Sequence, residues 1–202
     1  MRTLICMALM LLGATMTKAA TDGDGNEALN CIMTRTSIRQ YQDRPVEQEK
    51  VEQLLRAAMA APTAVNKQPW HFYVLNTKEA INRLADASQR GSDMVRSAAL
   101  VIVVCGDMDK ALEGKAREYW IQDTSAATEN LLLAAHALGL GAVWTGVYPM
   151  KERVEMTTKV LSLPENLVPL CTILIGYPAE NPTPKDKWKP ENVSYGKFGG
   201  KR

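Results

Sequence analysis

Two arginines and a serine alternate in Arg35-Thr36-Ser37-Ile38-Arg39. If this segment is extended, Arg35, Ser37 and Arg39 share a face. If it is helical, Arg35 and Arg39 still lie on one side, four residues apart. Either way two guanidiniums and a hydroxyl converge, which suits a phosphate carrying a polyol; the alternative is a solvated basic face. A second cluster, Ala61-Pro62-Thr63-Ala64-Val65-Asn66-Lys67-Gln68-Pro69-Trp70, is a turn-rich loop with two amides and a hydroxyl. An amide offers both a carbonyl and an NH2, the complement of a planar heterocycle's donor and acceptor edge. Trp70 is either a core residue or a ligand contact. The third cluster is Gly139-Leu140-Gly141-Ala142-Val143-Trp144-Thr145-Gly146, where glycines permit a tight passage and close approach of another group to the backbone. A plain turn explains them equally well. Finally Lys185 and Lys187 alternate in a proline-rich stretch, so both can face one anion, or both can be solvated.

Other chemistries are thinly supplied. His71 and His136 are the only histidines and read as structural residues. No Ser/His/Asp or Cys/His constellation offers an activated nucleophile. The four cysteines, Cys6, Cys31, Cys105 and Cys171, form no Cys-x-x-Cys pair and are too scattered for a disulfide scaffold. Neither a GxGxxG nor a GxxxxGK[ST] loop occurs. With 24 basic against 22 acidic side chains the chain lacks the excess charge of a nucleic-acid binder. A 46% hydrophobic composition excludes a disordered chain.

The elements that must position these clusters follow from periodicity. Residues 46–61 have helical spacing, stopped at Pro62, and residues 71–75 form a short aromatic, β-branched strand. Helical spacing returns over 78–87. Residues 98–105 (AALVIVVC) are continuously apolar, as in a strand covered on both faces. The strongest helix spans 124–138 with a broad alanine- and leucine-rich face, ended by Gly139. A strand over 142–148, a helix over 151–161 and a last buried strand over 169–177 complete the pattern. Beyond Pro178 the chain should run extended. Residues 107–120 offer the only obvious room for a lid.

In this order and at these separations, the four clusters resemble the FMN-dependent nitroreductase family. RTSIRQY is similar to its N-terminal Arg-x-Ser-x-(Arg/Lys) flavin motif. APTAVNKQPWHFYV resembles its Pro-Ser-x-x-Asn-x-Gln-Pro-Trp-x-Phe signature, with Thr63 where serine is commoner. ENLLLAAHALGLGAVWTG matches its long helix and the strand that follows. IGYPAENPTPKDK resembles its closing Gly-Tyr-Pro…Pro-Lys-x-Arg element, with Lys187, whose ammonium cannot bind phosphate bidentately, in place of the usual arginine. The resemblance spans residues 31–187. It implies an α+β fold, a central, mostly antiparallel sheet flanked by helices, in an intertwined homodimer with FMN at the subunit interface. Carried over by position, Arg35, Thr36, Ser37 and Arg39 would hold the phosphate, ribityl chain and pyrimidine end, and Lys185 and Lys187 would complete the phosphate site. Pro62, Thr63, Ala64 and Asn66 would approach from the partner chain; Trp144, Thr145 and Gly146 would supply contacts near flavin N5. The implied activity is ping-pong transfer from NADH or NADPH to a small-molecule acceptor such as a nitroaromatic or quinone. No residue would act as a catalytic group and no metal is implied. The alternatives are a specialised relative such as a reductive dehalogenase, or an exported, non-catalytic flavin-binding protein.

The first residues read separately. Arg2 precedes an uncharged run over 3–16, and Thr17-Lys18-Ala19 follows with small residues where cleavage needs them: the form of a secretory signal. The run is shorter than the roughly 20 apolar residues of a membrane span, so no stable anchor is expected. The expected division is a signal peptide at 1–19, a flexible joint at 20–30 and one domain at 31–202. The protein would then be exported, to a periplasm, or cytoplasmic if the leader is retained. Removing 1–19 takes away Arg2 and Lys18 and no acid, leaving 22 basic and 22 acidic side chains.

Overall fold

A computed structural model describes residues 26–88 and 91–200. The expected leader and the joint as far as residue 25 lie outside the described residues. The rest of that joint is not flexible linker: residues 26–30 open a helix, α1 (Asn26–Thr34). Glu27 in its first turn suits the positive helix end. The Gly/Asp-rich stretch before it hid this start.

Seven further helices and strands agree with the periodicities within a few residues: α2 (Gln48–Met59), β1 (Trp70–Leu75), α3 (Lys78–Ala87), then, after a short unforeseen helix α4 (Ser92–Ser97), β2 (Leu100–Asp107), α5 (Tyr119–Ala137), β3 (Gly141–Gly146) and α6 (Lys151–Leu161). The chain's last strand is β4 (Leu167–Gly176). α5 begins five residues before the expected Thr124, and Trp120 and Asp123 in the added turn are buried.

The strands pair antiparallel in the order β1-β2-β4-β3. Alternation along β2 divides the core. Leu100, Ile102 and Val104 pack with α2 and α5, while Val101, Val103 and Cys105 pack with α3, α4 and α6. Both sheet faces are therefore covered, which explains the unbroken apolar run in an antiparallel strand. The fold is α+β, with helices on either side of the sheet.

Two termini matter for the site. α5 ends in a Schellman motif: Gly139 N–H donates to His136 O at 3.0 Å and Leu140 N–H to Ala135 O at 2.8 Å. Gly139 takes φ +71°, the left-handed turn that such an ending requires. The stretch 107–120 is no free lid, since Asp107, Ala111 and Trp120 are all buried. Cys31, Cys105 and Cys171 are free thiols, and burial pushes the last two up to about 12. No helix among the described residues is long and apolar enough to cross a membrane.

Candidate functional site

The arginine–serine cluster is extended and lies along the outer edge of β3. Ser37 forms a parallel bridge with Ala142, and Ile38 N–H donates to Ala142 O at 3.0 Å. Further along, Gln42 N–H donates to Tyr177 O at 2.8 Å and Ala179 N–H to Gln40 O at 2.9 Å. Ile38 is buried and anchors the segment, while Arg39 is exposed. The backbone N–H groups of Arg39 and Gln40 both donate to the Glu180 carboxylate. Arg35 reaches Glu129 on α5, 3.4 Å away.

Thr34, Arg35 and Thr36 line one wall of a cavity of about 330 Å³. His136, Ala142, Glu180 and Pro184 close the others. Lys185, exposed, follows Pro184 directly, and exposed Lys187 lies two residues further on. His136 is more than a packing residue: its Nε2 lies 2.8 Å from Thr34 Oγ1. Because the single Thr34 hydroxyl proton goes to Asn30 O at 2.6 Å, Nε2 is the donor to Thr34.

Strand geometry settles what β3 offers. Alternate residues aim both N–H and C=O at the same edge. Ala142 O faces Ile38, so Trp144 and Gly146 also present their backbone groups outward, and Thr145 presents its own to β4. The Thr145 hydroxyl also turns inward, donating to Thr172 O at 2.8 Å. Of the three residues expected here, Thr145 is therefore the one directed away from the edge. A Cβ on Gly146 would meet nothing within 4 Å, and its carbonyl accepts from Arg153 Nη1 at 2.8 Å. Nothing local in the sequence signalled Arg153, Glu129 or Glu180.

The loop 62–68 is held in an unusual shape. Val65, Asn66 and Gln68 all have positive φ, at 43°, 57° and 50°. For non-glycine residues such a backbone costs on the order of 1–3 kcal/mol each, and such strain gathers at ligand sites. Internal bonds hold it: Gln68 N–H donates to Thr63 Oγ1 at 3.0 Å, and Gln68 Nε2 to Asn66 Oδ1 at 3.0 Å. Ala64 N–H donates to Asp123 Oδ1 at 2.9 Å. Pro62 and Asn66 are exposed and Thr63 and Ala64 half-buried. Trp70 is a core residue, with its remaining surface facing a second cavity of about 600 Å³ beside Asn66, Lys67 and Gln68.

These two half-sites do not meet within one chain. The loop is tied to Asp123, Arg35 of the arginine–serine cluster reaches Glu129, and the preceding Thr34 reaches His136. Along α5, Glu129 and His136 lie roughly 9 Å and 20 Å from Asp123 and about 120–140° around the helix from it.

Comparison with known proteins agrees with this architecture. A family model described as Nitroreductase family matches residues 32–92 and 87–177. A Methanothermobacter thermautotrophicus protein, provisionally named NADH dehydrogenase/NAD(P)H nitroreductase, is 45% identical over 172 residues, covering 85% of this chain and 88% of that one. A crystal structure from Parabacteroides distasonis with the same provisional name has a TM-score of 0.79 and 41% identity, covering 85% of this chain and 99% of that chain. A provisionally named nitroreductase from Desulfovibrio desulfuricans, solved in complex with FMN, has a TM-score of 0.73 and 33% identity, covering 86% and 98%. The chain belongs to the nitroreductase family.

Proposed function

We propose that this protein is an FMN-dependent NAD(P)H oxidoreductase that works as a homodimer, each FMN held between two chains. The observation that carries this reading is the placement of the two clusters on different sides of α5, the loop at Asp123 and the arginine–serine segment at Glu129 and His136. A two-fold partner would bring its loop 62–66 to the edge of β3. The residues present fit the cofactor: Arg35 lines the cavity at one end of that edge, while Trp144 and the N–H of Gly146 face outward along it. The FMN complex of the Desulfovibrio relative supports the same choice.

Arg35 would bind the phosphate, exchanging Glu129 for it, with Lys185 and Lys187 as further cations. Ser37 would bind the polyol, and Arg39 would place positive charge near the pyrimidine end. The outward N–H of Gly146 would approach the redox edge of the ring. FMN, when bound, supplies the hydride chemistry between a nicotinamide and an acceptor, and the protein supplies position and field. Reductant and acceptor would use one exposed face in turn, giving ping-pong turnover with nitroaromatics or quinones.

Purified protein is expected to be yellow, to hold one FMN per chain and to be bleached by NADH or NADPH without oxygen. A quinone or nitroaromatic should then restore the colour. Protein that takes up no added FMN, or bound FMN that neither nucleotide reduces, overturns the proposal. We extend the reading to location: the uncharged run over 3–16 supports export, with the exported form expected to begin at Ala20. N-terminal sequencing of the periplasmic fraction tests this, and a form that keeps Met1 or Arg2 there refutes it.

A further inference from the structure

Asp123 has no place in the reading so far. It is 6% exposed, sits in the second turn of α5 and carries a carboxylate at a position surrounded by core residues. A buried carboxylate is costly unless its oxygens are hydrogen-bonded. Its partner here is the backbone N–H of Ala64, 2.9 Å away, in the strained loop that would cover the partner's flavin. The other hydrogen bonds of residues 63–68 close on the loop itself or on the adjoining Trp70: Asn66 N–H to Thr63 O, Lys67 N–H to Ala64 O, Trp70 N–H to Gln68 O, and the two bonds of Gln68. Among the described residues, the bond to Asp123 therefore ties this turn to the rigid scaffold. It enters at the first residue of the 3-10 turn Ala64–Asn66, whose later members take left-handed backbone.

We infer that Asp123 is a positioning residue for cofactor binding: through Ala64 N–H it fixes the height and orientation of the loop that carries Thr63, Ala64 and Asn66. The inference rests on the FMN reading above. It concerns a residue with no expected contact to the ligand.

The test uses full-length protein and added FMN, with affinity read from flavin fluorescence and ring environment from visible circular dichroism. Asp123→Ala is expected to weaken FMN binding at least tenfold and to change the visible dichroism. Asp123→Asn keeps an oxygen that accepts from Ala64 and should stay within threefold of the parent. A purely structural carboxylate would lower thermal stability in the alanine variant and leave FMN affinity and dichroism alone, and that result overturns the inference. If Asp123→Ala does not fold, Ala64→Pro removes the same hydrogen bond from its other end. Proline is tolerated at the first helical position, and Thr63 already has the extended backbone that must precede it, φ −136° and ψ 158°. Ala64→Pro should weaken FMN binding in the wild-type background. Ala64→Pro that folds and leaves FMN affinity and visible dichroism unchanged overturns the inference. Failure of the parent to bind FMN at all would instead strike the proposed function.

Discussion

Asp107 closes β2 as a carboxylate nearly out of reach of solvent. Burial alone would raise its pKa, but three partners outweigh burial and hold it below the usual carboxylate range: Lys110 Nζ at 3.1 Å, Asn166 Nδ2 at 3.0 Å and Asp109 N–H at 3.2 Å. Because the folded pKa lies below the unfolded one, the stabilisation is complete above about pH 4 and is lost as pH falls through the folded pKa. Asp107→Asn should cost about 1.5–3 kcal/mol near neutral pH, the scale of a hydrogen bond to a charged group. The gap between variant and parent in urea midpoint should close in strong acid. An equal gap at both pH values would show that the carboxylate's charge is irrelevant. The same residue scale shows where sequence reading stops. Arg35, Ser37 and Asn66 announced themselves by type and local spacing. Glu129, Glu180 and Asp123 did not, since a carboxylate's partner 94, 140 or 59 residues away leaves no local pattern.

At the scale of elements, the position of the arginine–serine segment depends on a glycine on the neighbouring strand. A Cβ on Gly141 would fall 2.6 Å from the Cβ and Cγ2 of Ile38, the residue that anchors that segment. Gly141→Ala must therefore push residues 35–39 off the edge of β3. Forcing extra atoms into packed contact costs typically about 1–3 kcal/mol. The larger consequence is expected for ligand binding, because Arg35 and Ser37 move with Ile38. Thermal melting should fall by several degrees and FMN affinity by at least tenfold. A variant that melts lower with unchanged FMN affinity would detach this segment from the cofactor. The long elements were legible because burial imposes a period on them: two-residue alternation hidden in a doubly covered β2, and 3.6-residue spacing in α2 and α3. α1 and α4 were not, since nine and six residues give too few repeats for a period. The edge contact between residues 35–41 and β3 was also invisible, being a pairing of backbones in which side-chain pattern has little say.

The molecule as a whole is an incomplete surface. Its tail beyond Pro178 is not extended throughout as expected, being broken by a 3-10 turn at Pro190–Asn192 and by hydrogen-bonded turns over 195–200; Trp188 is 69% and Phe198 fully exposed, and α1 leaves Leu29, Ile32 and Met33 uncovered. Single exposed apolar residues are ordinary, but two large aromatics on a tail that is exposed throughout 181–199 are not. The flavin reading gives them a use, because a dimer that shares two half-sites needs something to hold the chains in register. A second copy seated against the tail would bury both aromatics, and each such burial is worth about 1.5–3 kcal/mol. Trp188→Ser with Phe198→Ser should then leave the monomer's stability within about 0.5 kcal/mol, as for exposed positions generally. It should weaken self-association by at least tenfold, since about 1.4 kcal/mol already gives that factor. Sedimentation across a dilution series reads the association, and flavin fluorescence on the same samples reads cofactor release. On the proposal that loop 62–66 reaches a ligand at β3 from another chain, FMN should leave at the concentration where the dimer parts. Cofactor that stays bound to a sedimenting monomer would mean that one chain encloses it, and the shared-site reading would fail there.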